Sequence, residues 1–148
     1  VRYPRGNGPG VPPSLTLDGV PIGRGELRRQ GSRVAILAFG TLLAAALEAA
    51  ETLDATVANM RFVKPLDHAL VKQLADSHDW LVSIEENTVI GGAGAEIARS
   101  LVSQNCNNRL LRLGLPDHFV EHGEQGQMLA ELGLDAAGII RQVKAFIS

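Results

Sequence analysis

Continuous apolar runs alternate along the chain with segments in which apolar residues recur every three or four positions. A continuous run suits a strand buried on both faces, whereas the wider spacing is typical of a helix with one buried face. The runs predict strands at residues 22–27, 34–39, 55–60, 80–84 and 110–113, with a polar turn at 28–31. The helical spacing predicts helices at 42–53, at 69–75, from the glycines at 91–94 to about 102, at 126–132 and at 136–147. Thr41, Asp67 and Asp135 stand at the start of three of these helices and are expected to cap them.

The alternation of strands and helices predicts an open α/β fold of three layers, with a mostly parallel sheet and helices on both faces. In this architecture, ligands and partners meet the carboxyl ends of the strands. Those ends are expected at residues 40–41, 61–64, 85–87 and 114–117.

Composition narrows the class of protein. The 148 residues suit one domain, and the net charge of -2 argues against a nucleic-acid binder, which usually carries a basic stripe. Apolar runs are too short for a membrane span. The one cysteine, Cys106, excludes a disulfide framework and is interpreted as a free thiol in a polar loop.

The first residues differ from the rest of the chain. Four prolines and three glycines at residues 4–14 predict a linker, so residues 1–14 are interpreted as the end of a preceding domain with its linker and 15–148 as the domain itself. Val1 is not a methionine and no targeting pattern follows, which suggests a cut from a longer chain. Arg2 and Arg5 flank Tyr3-Pro4. A guanidinium suits a phosphate monoester, but on chemistry alone an interdomain ion pair is the favoured role.

Two short motifs suggest chemistry. The turn at 91–94, Gly-Gly-Ala-Gly, precedes a helix whose amides could hold a phosphate, but Ile97 stands where a dinucleotide fingerprint needs glycine. The alternative is a tight turn close to a neighbouring element. His118 and His122, with Glu121, match the letters of an H-x-x-E-H zinc motif; Pro116 and the glycine at 123 favour a surface loop instead.

Other polar residues have structural interpretations. Glu85 and Glu86 are adjacent in a strand and therefore point to opposite faces, which makes them a poor acid–base pair. One of them is free to hydrogen-bond a neighbouring loop or subunit. His68 and His78 flank a short helix and are interpreted as solvated or capping residues.

Several segments together resemble the 1-deoxy-D-xylulose-5-phosphate synthases, which are transketolase-like thiamine enzymes. The matching segments are VRYPRG at 1–6, PIGRG at 21–25, AILAFGT at 35–41, MRFVKPLD at 60–67, EEN at 85–87, GGAG at 91–94, GLPD at 114–117 and LGLDAAG at 132–138. Residues 7–14 and 98–109 carry little of the match. The resemblance implies the C-terminal, transketolase-like domain of such an enzyme.

The resemblance also implies a reaction. The intact enzymes join pyruvate to D-glyceraldehyde 3-phosphate, release carbon dioxide and start a route to isoprenoids, thiamine and pyridoxal in the bacterial cytoplasm or in plastids. They use thiamine diphosphate and Mg²⁺, which other domains hold, and they are homodimers. Arg5 matches an arginine that grips the substrate phosphate. This segment alone is expected to be inactive, with a scaffolding role and no catalytic, cofactor or metal residue of its own.

The sequence leaves two alternatives open. A freestanding nucleotide-binding regulatory module would use the glycine turn at 91–94. The C-terminal domain of a different thiamine enzyme, such as a transketolase or a 2-oxoacid dehydrogenase component, would share the fold.

Overall fold

The computed structural model describes Gly10 and residues 19–148. Five strands form one sheet in the order β1-β3-β2-β4-β5, in which β1 is antiparallel and the others are parallel. The strands are β1 (Glu26–Arg29), β2 (Val34–Ala38), β3 (Thr56–Asn59), β4 (Trp80–Thr88) and β5 (Arg109–Leu115). The helices are α1 (Leu43–Leu53), α2 (His68–Ser77), α3 (Ala93–Ser103), α4 (Gln125–Glu131) and α5 (Ala136–Ile147). The predicted α/β class and its mostly parallel sheet are confirmed.

The helices cover the two faces of the sheet in separate groups. Alternate residues of β2 belong to different cores: Ile36 packs with α1 and α5, and Leu37 packs with α2 and α3. Both side chains are fully buried, as a strand covered on both faces requires. On α1 the buried stripe is built from small residues, which lets the helix lie close to its neighbours; the stripe is Ala46, Ala49 and Ala50.

Two of the three predicted caps are confirmed. The Asp67 carboxylate accepts the Leu70 N–H at 3.0 Å, and the Asp135 carboxylate accepts the Gly138 N–H at 2.8 Å. Thr41 is not a cap. It lies within a 3₁₀ turn at Gly40–Leu42 that precedes α1, and its hydroxyl donates to the Glu86 carboxylate instead.

Strands β1 and β4 differ most from the prediction. Strand β1 begins at Glu26 and not at residue 22, and both strands end later than predicted. Residues 28 and 29 of the predicted polar turn at 28–31 belong to β1. Arg29 is compatible with this edge strand because its charge is paired. Its guanidinium donates to Glu51 at 3.0 Å and to the Ala55 carbonyl at 2.7 Å. Strand β4 continues past Ile84 to Thr88, since its far end pairs with the end of β5 after an irregularity in register.

No helix in the described part of the chain is long and apolar enough to cross a membrane. The proposed linker and the residues before it lie almost wholly outside the described residues, so the boundary at 14/15 stays a prediction.

Candidate functional site

The loops that follow the parallel strands form one edge of the sheet, as predicted. A cleft of about 640 Å³ lies there between the loop after β3 and the first turns of α3. Val63, Pro65 and Leu66 supply apolar walls, and Lys64 and Arg99 supply positive charge. Glu96 also lines the cleft, so the cleft is a mixed apolar and charged surface.

The loop after β3 is fixed by polar contacts of its own. Arg61 has a left-handed backbone with φ of +57°, and its N–H donates to the Asn59 side chain at 3.1 Å. Its guanidinium donates to Glu26 of β1 at 2.6 Å. At the far end of the loop, Asp67 accepts the Gly25 N–H at 3.0 Å in addition to capping α2. These contacts join the incoming chain to the cleft wall, and the sequence signalled only the cap.

The junction between β4 and α3 is closed by a buried carboxylate. Glu85 is 5% exposed, and its two oxygens accept the N–H groups of Ala93 and Gly94 at 2.7 and 2.8 Å. The first amides of a helix carry partial positive charge and lack partners within the helix. Glu85 therefore supplies to α3 the negative charge that a phosphate would otherwise bring.

The glycines at this junction allow a close approach of backbone and side chain. A Cβ atom on Gly92 would lie 2.3 Å from the Thr88 carbonyl oxygen and 2.5 Å from both Glu85 carboxylate oxygens. A Cβ on Gly94 would lie 2.5 Å from the Ser83 hydroxyl. The interpretation of residues 91–94 as a tight turn is thus supported. The phosphate-site interpretation of this turn is not favoured, because Glu85 already accepts two of the amides that a phosphate would need.

Glu86 points to the opposite face, as the strand geometry predicts. It accepts from the Thr41 hydroxyl, and the Gln125 side chain donates to it at 3.4 Å. The contact joins the ends of β2 and β4, the neighbouring strands whose following helices lie on opposite faces of the sheet. Glu85 and Glu86 thus have separate bonding partners, and the conclusion that they are not an acid–base pair is supported.

One wall of the cleft carries an ion pair along the surface of α3. The Arg99 guanidinium donates twice to Glu96, at 2.8 and 2.6 Å. These hydrogen bonds, helped by the positive charge of Arg99 and by nearby His68, lower the pKa of Glu96 below its ordinary value of 4.5. The pair is exposed to solvent, so its contribution to stability is small.

The two histidines beside α2 have structural contacts. His68 is exposed at the start of the helix, and its Nδ1 lies 2.8 Å from the Ser100 hydroxyl of α3. His78 follows the helix, with Nδ1 3.0 Å from the Leu74 carbonyl and Nε2 2.7 Å from the Thr56 hydroxyl of β3. The capping interpretation holds for His78, whereas His68 joins two helices.

The H-x-x-E-H sequence at residues 118–122 forms no helix. His118 and His122 lie in the loop between β5 and α4, in which Phe119 is fully exposed. Among residues 19–148, no group of three or more His, Cys, Asp or Glu side chains is placed to bind a metal ion. The surface-loop interpretation is therefore supported. Cys106 is a partly buried free thiol in the loop between α3 and β5, where it packs against the core beside α2 and α3.

Arg2 and Arg5, the candidate phosphate contacts, lie outside the described residues. Their roles stay predictions.

The sequence matches the family described as "Transketolase, C-terminal domain" over residues 23–139. The chain belongs to this family of transketolase C-terminal domains. The match covers all five strands and the cleft, and ends within α5.

Relatives of this transketolase C-terminal domain extend the match to nearly the whole chain. The 1-deoxy-D-xylulose-5-phosphate synthase of Dechloromonas aromatica is 61% identical over 98% of the chain. That of Nitrosomonas eutropha is 56% identical over all of it. The chain spans only 24% of either relative's length. The resemblance drawn from the sequence motifs is confirmed, and a freestanding nucleotide-binding module is not favoured.

Solved structures agree on the fold. A split-gene transketolase, described as an inactive β4 tetramer, has a TM-score of 0.78 and 33% identity, covering 92% of this chain and 45% of that one. A transketolase mutant from Pichia stipitis has a TM-score of 0.52 at 16% identity, covering 80% of this chain and 17% of its own, and supports the fold alone.

At the start of α3, the described residues do not fit the diphosphate group of thiamine diphosphate. A diphosphate needs free amides or cations together with a divalent metal, and the described residues place no cluster of metal ligands. The amides at the start of α3 are held by Glu85.

Proposed function

We propose that this chain is the C-terminal domain of a 1-deoxy-D-xylulose-5-phosphate synthase, a transferase that joins pyruvate to D-glyceraldehyde 3-phosphate and releases carbon dioxide. The observation that carries the proposal is 61% identity to a synthase of that name over 98% of the chain. The product would feed the synthesis of isoprenoid precursors, thiamine and pyridoxal. The protein would act in the bacterial cytoplasm or in a plastid.

In this proposal the domain supports an active site that is built elsewhere in the enzyme. Thiamine diphosphate supplies the carbanion chemistry when bound, and it is held with Mg²⁺ by the part of the enzyme that precedes this chain. The closed junction at Glu85 supports that division, because this carboxylate already bonds the amides of the glycine-rich helix start at residues 91–94. The domain also contributes to a homodimer.

Residues 1–14 are proposed to carry the end of the preceding domain and its linker, with 15–148 as the C-terminal domain. Arg5 is the single residue proposed to touch substrate, through the phosphate of D-glyceraldehyde 3-phosphate. A guanidinium offers two parallel donors to a phosphate, which makes it a strong and oriented contact. An ion pair between Arg5 and a neighbouring domain is the competing role.

A chimeric enzyme tests the proposal. The C-terminal segment of the Dechloromonas aromatica synthase is replaced by this chain, and product formation is measured with both substrates, thiamine diphosphate and Mg²⁺. We expect the chimera to be active, whereas the truncated enzyme and the isolated 148-residue chain are each inactive. An inactive chimera that is folded and dimeric contradicts the proposal, as does turnover by the isolated chain.

The same chimera tests Arg5. Arg5→Ala is expected to raise the KM for the phosphorylated substrate by about 10- to 100-fold, because a charged hydrogen bond contributes about 1.5–3 kcal/mol. The KM for pyruvate should stay within about twofold. An unchanged KM for D-glyceraldehyde 3-phosphate, with reduced stability of the chimera, would favour the ion pair.

A further inference from the structure

Exposed apolar side chains are concentrated at one end of the domain. Among the described residues, the large apolar side chains with substantial exposure are Val20, Ile22, Leu27, Val63, Ile90, Val102, Phe119 and Val120. Six of these eight belong to the incoming segment or to the loops after β3, β4 and β5; the exceptions are Leu27 and Val102. Single exposed apolar residues are ordinary, but a contiguous group marks an interaction site.

The loops that carry these side chains are neighbours. Val63 lines the cleft opposite Gly91, so the loops after β3 and β4 share one surface. The Val89 N–H donates to the Leu115 carbonyl at 3.1 Å, which places Ile90 beside the start of the loop that carries Phe119. We refer to Val63, Ile90, Phe119 and Val120, together with the cleft, as the carboxyl-edge surface.

The polypeptide reaches the domain at this same edge. Strand β1 runs antiparallel to β3, and its first residue, Glu26, is paired with Asn59 at the carboxyl end of β3. Just before it, Gly23 lies against the Pro65 ring, and the Gly25 N–H is bonded to Asp67. The described chain therefore enters the domain at the carboxyl edge, and a preceding part of a longer enzyme would be connected to the domain there through residues 1–18.

The surface also defines the chemistry of its partner. Phe119 is 104% exposed and Ile90 63% exposed, and neither has a structural role in the domain core. Lys64 lies in the adjacent cleft, and among the described residues no carboxylate lies within 4 Å of its ammonium group. A matching surface would have apolar hollows with a carboxylate beside them, the usual composition of an interface with an apolar centre and a polar rim.

We propose that the carboxyl-edge surface docks against the part of the enzyme that precedes this chain, with Phe119 and Ile90 as its main apolar contacts. The inference rests on the proposed function, since only a multidomain enzyme has such a part. It names the face and the residues through which the domain supports the active site. A second copy of the chain on this face is the rival occupant that the test separates.

The experiment uses the full-length chimeric enzyme. Phe119→Asp combined with Ile90→Asp places two charges at the proposed contact, and Val102→Asp is the matched control, 76% exposed near the end of α3 away from the carboxyl edge. Limited proteolysis follows cleavage between the two parts of the enzyme, which reports the population of undocked molecules when opening is fast. Sedimentation reports the dimer.

We expect the double variant to be cleaved about tenfold or more faster than the wild-type chimera, and Val102→Asp to stay within about twofold. Phe119→Ser with Ile90→Ser should give an intermediate rate, which guards against a local folding defect caused by the new charges. Equal rates for the double variant and the wild type overturn the inference. So does loss of the dimer with unchanged cleavage, which would assign the face to a second copy.

The two proposals fail differently. An inactive wild-type chimera contradicts the proposed function and the inference with it. An active chimera whose edge variants are cleaved at the wild-type rate contradicts the inference alone.

Discussion

Two loops at the same edge of the sheet carry letters that suggest ligand chemistry, and they are built in opposite ways. The junction of β4 with α3 is buried and closed, because Glu85 bonds the first amides of the helix. The loop between β5 and α4 is open, with His118 and His122 in coil and Phe119 exposed. The closed junction stabilises the domain itself, whereas the exposed Phe119 of the open loop makes no contact with the domain core.

The comparison shows how a motif can be satisfied inside a fold. The first amides of a helix that follows a glycine turn carry partial positive charge and favour a negative group. Here the carboxylate of Glu85, eight residues before Ala93, is that group. An exposed aromatic ring in a loop creates the opposite situation, a surface that only a partner can cover. Substitutions in the first region should therefore destabilise the isolated chain, and substitutions in the second region should not.

Loss of the Glu85 carboxylate should have the largest effect. Glu85→Ala removes two charge-assisted hydrogen bonds and leaves two buried N–H groups without partners, which should lower the free energy of unfolding by about 3–5 kcal/mol. Urea denaturation of the 148-residue chain measures it.

The adjacent Glu86→Ala is the control, and it should cost less than about 1 kcal/mol because its contacts are solvent-exposed. Glu85→Gln should fall between the two, since its amide oxygen can still accept one bond. Equal losses at positions 85 and 86 would contradict the closed junction.

A methyl group on Gly92 should have the next largest effect. Its φ of -78° is ordinary, so the cost of Gly92→Ala comes from contact with the Thr88 carbonyl and the Glu85 carboxylate. We expect a loss of about 1–3 kcal/mol, as for other overpacked sites.

Gly123→Ala in the open loop is the matched substitution. The new Cβ there would meet only the flexible Met128 side chain, at 3.2 Å or more, so stability should change by less than about 0.5 kcal/mol. A larger loss at Gly123 than at Gly92 would reverse the comparison.

A surface carboxylate on α3 sharpens the contrast with buried Glu85. Hydrogen bonds from Arg99 lower the pKa of Glu96 in the folded state, so the stabilisation by this pair is complete above pH 4.5, the ordinary pKa, and is lost as pH falls through the lowered value. Arg99→Ala should move the pKa of Glu96 back up.

Carbon-13 titration of the Glu96 carboxyl group in wild type and variant measures the shift. Arg99→Lys is the control: it keeps the charge without the paired geometry and should restore only part of the shift. A Glu96 pKa that is the same in all three proteins would contradict the ion pair as its cause.

Most of the fold followed from the sequence because its signals are local. The apolar run of β2 and the capping aspartates Asp67 and Asp135 act within a few residues, and the structure confirms them. Thr41 failed as a cap because Glu86, 45 positions away, takes its hydroxyl. Arg29 was assigned to a turn because the carboxylates that make it compatible with an edge strand come from α1 and the turn after it.

The candidate site was only half accessible to sequence reasoning. The two-residue period of a strand correctly sent Glu85 and Glu86 to opposite faces, and one of them was expected to bond a neighbouring loop. That the loop would be Gly92–Gly94 depends on where β4 ends, and β4 is four residues longer than predicted. The cleft beside Lys64 forms where the loops after β3 and β4 meet. The local pattern of apolar and polar residues does not predict such a contact between distant loops.

The open loop should show the smallest effect of all. Combined His118→Ala and His122→Ala should leave the free energy of unfolding within about 0.5 kcal/mol of wild type, because neither ring is held by the core. Thermal unfolding in excess zinc distinguishes an open loop from a metal site. A site that formed only in the folded state would stabilise it by about 2.7 kcal/mol at a free zinc concentration of 100 Kd. We expect thermal unfolding with zinc to match that without it, in wild type and double variant alike. Stabilisation by zinc that disappears in the double variant would make the loop a metal site. Both regions would then be closed, the junction by a carboxylate and the loop by a metal ion.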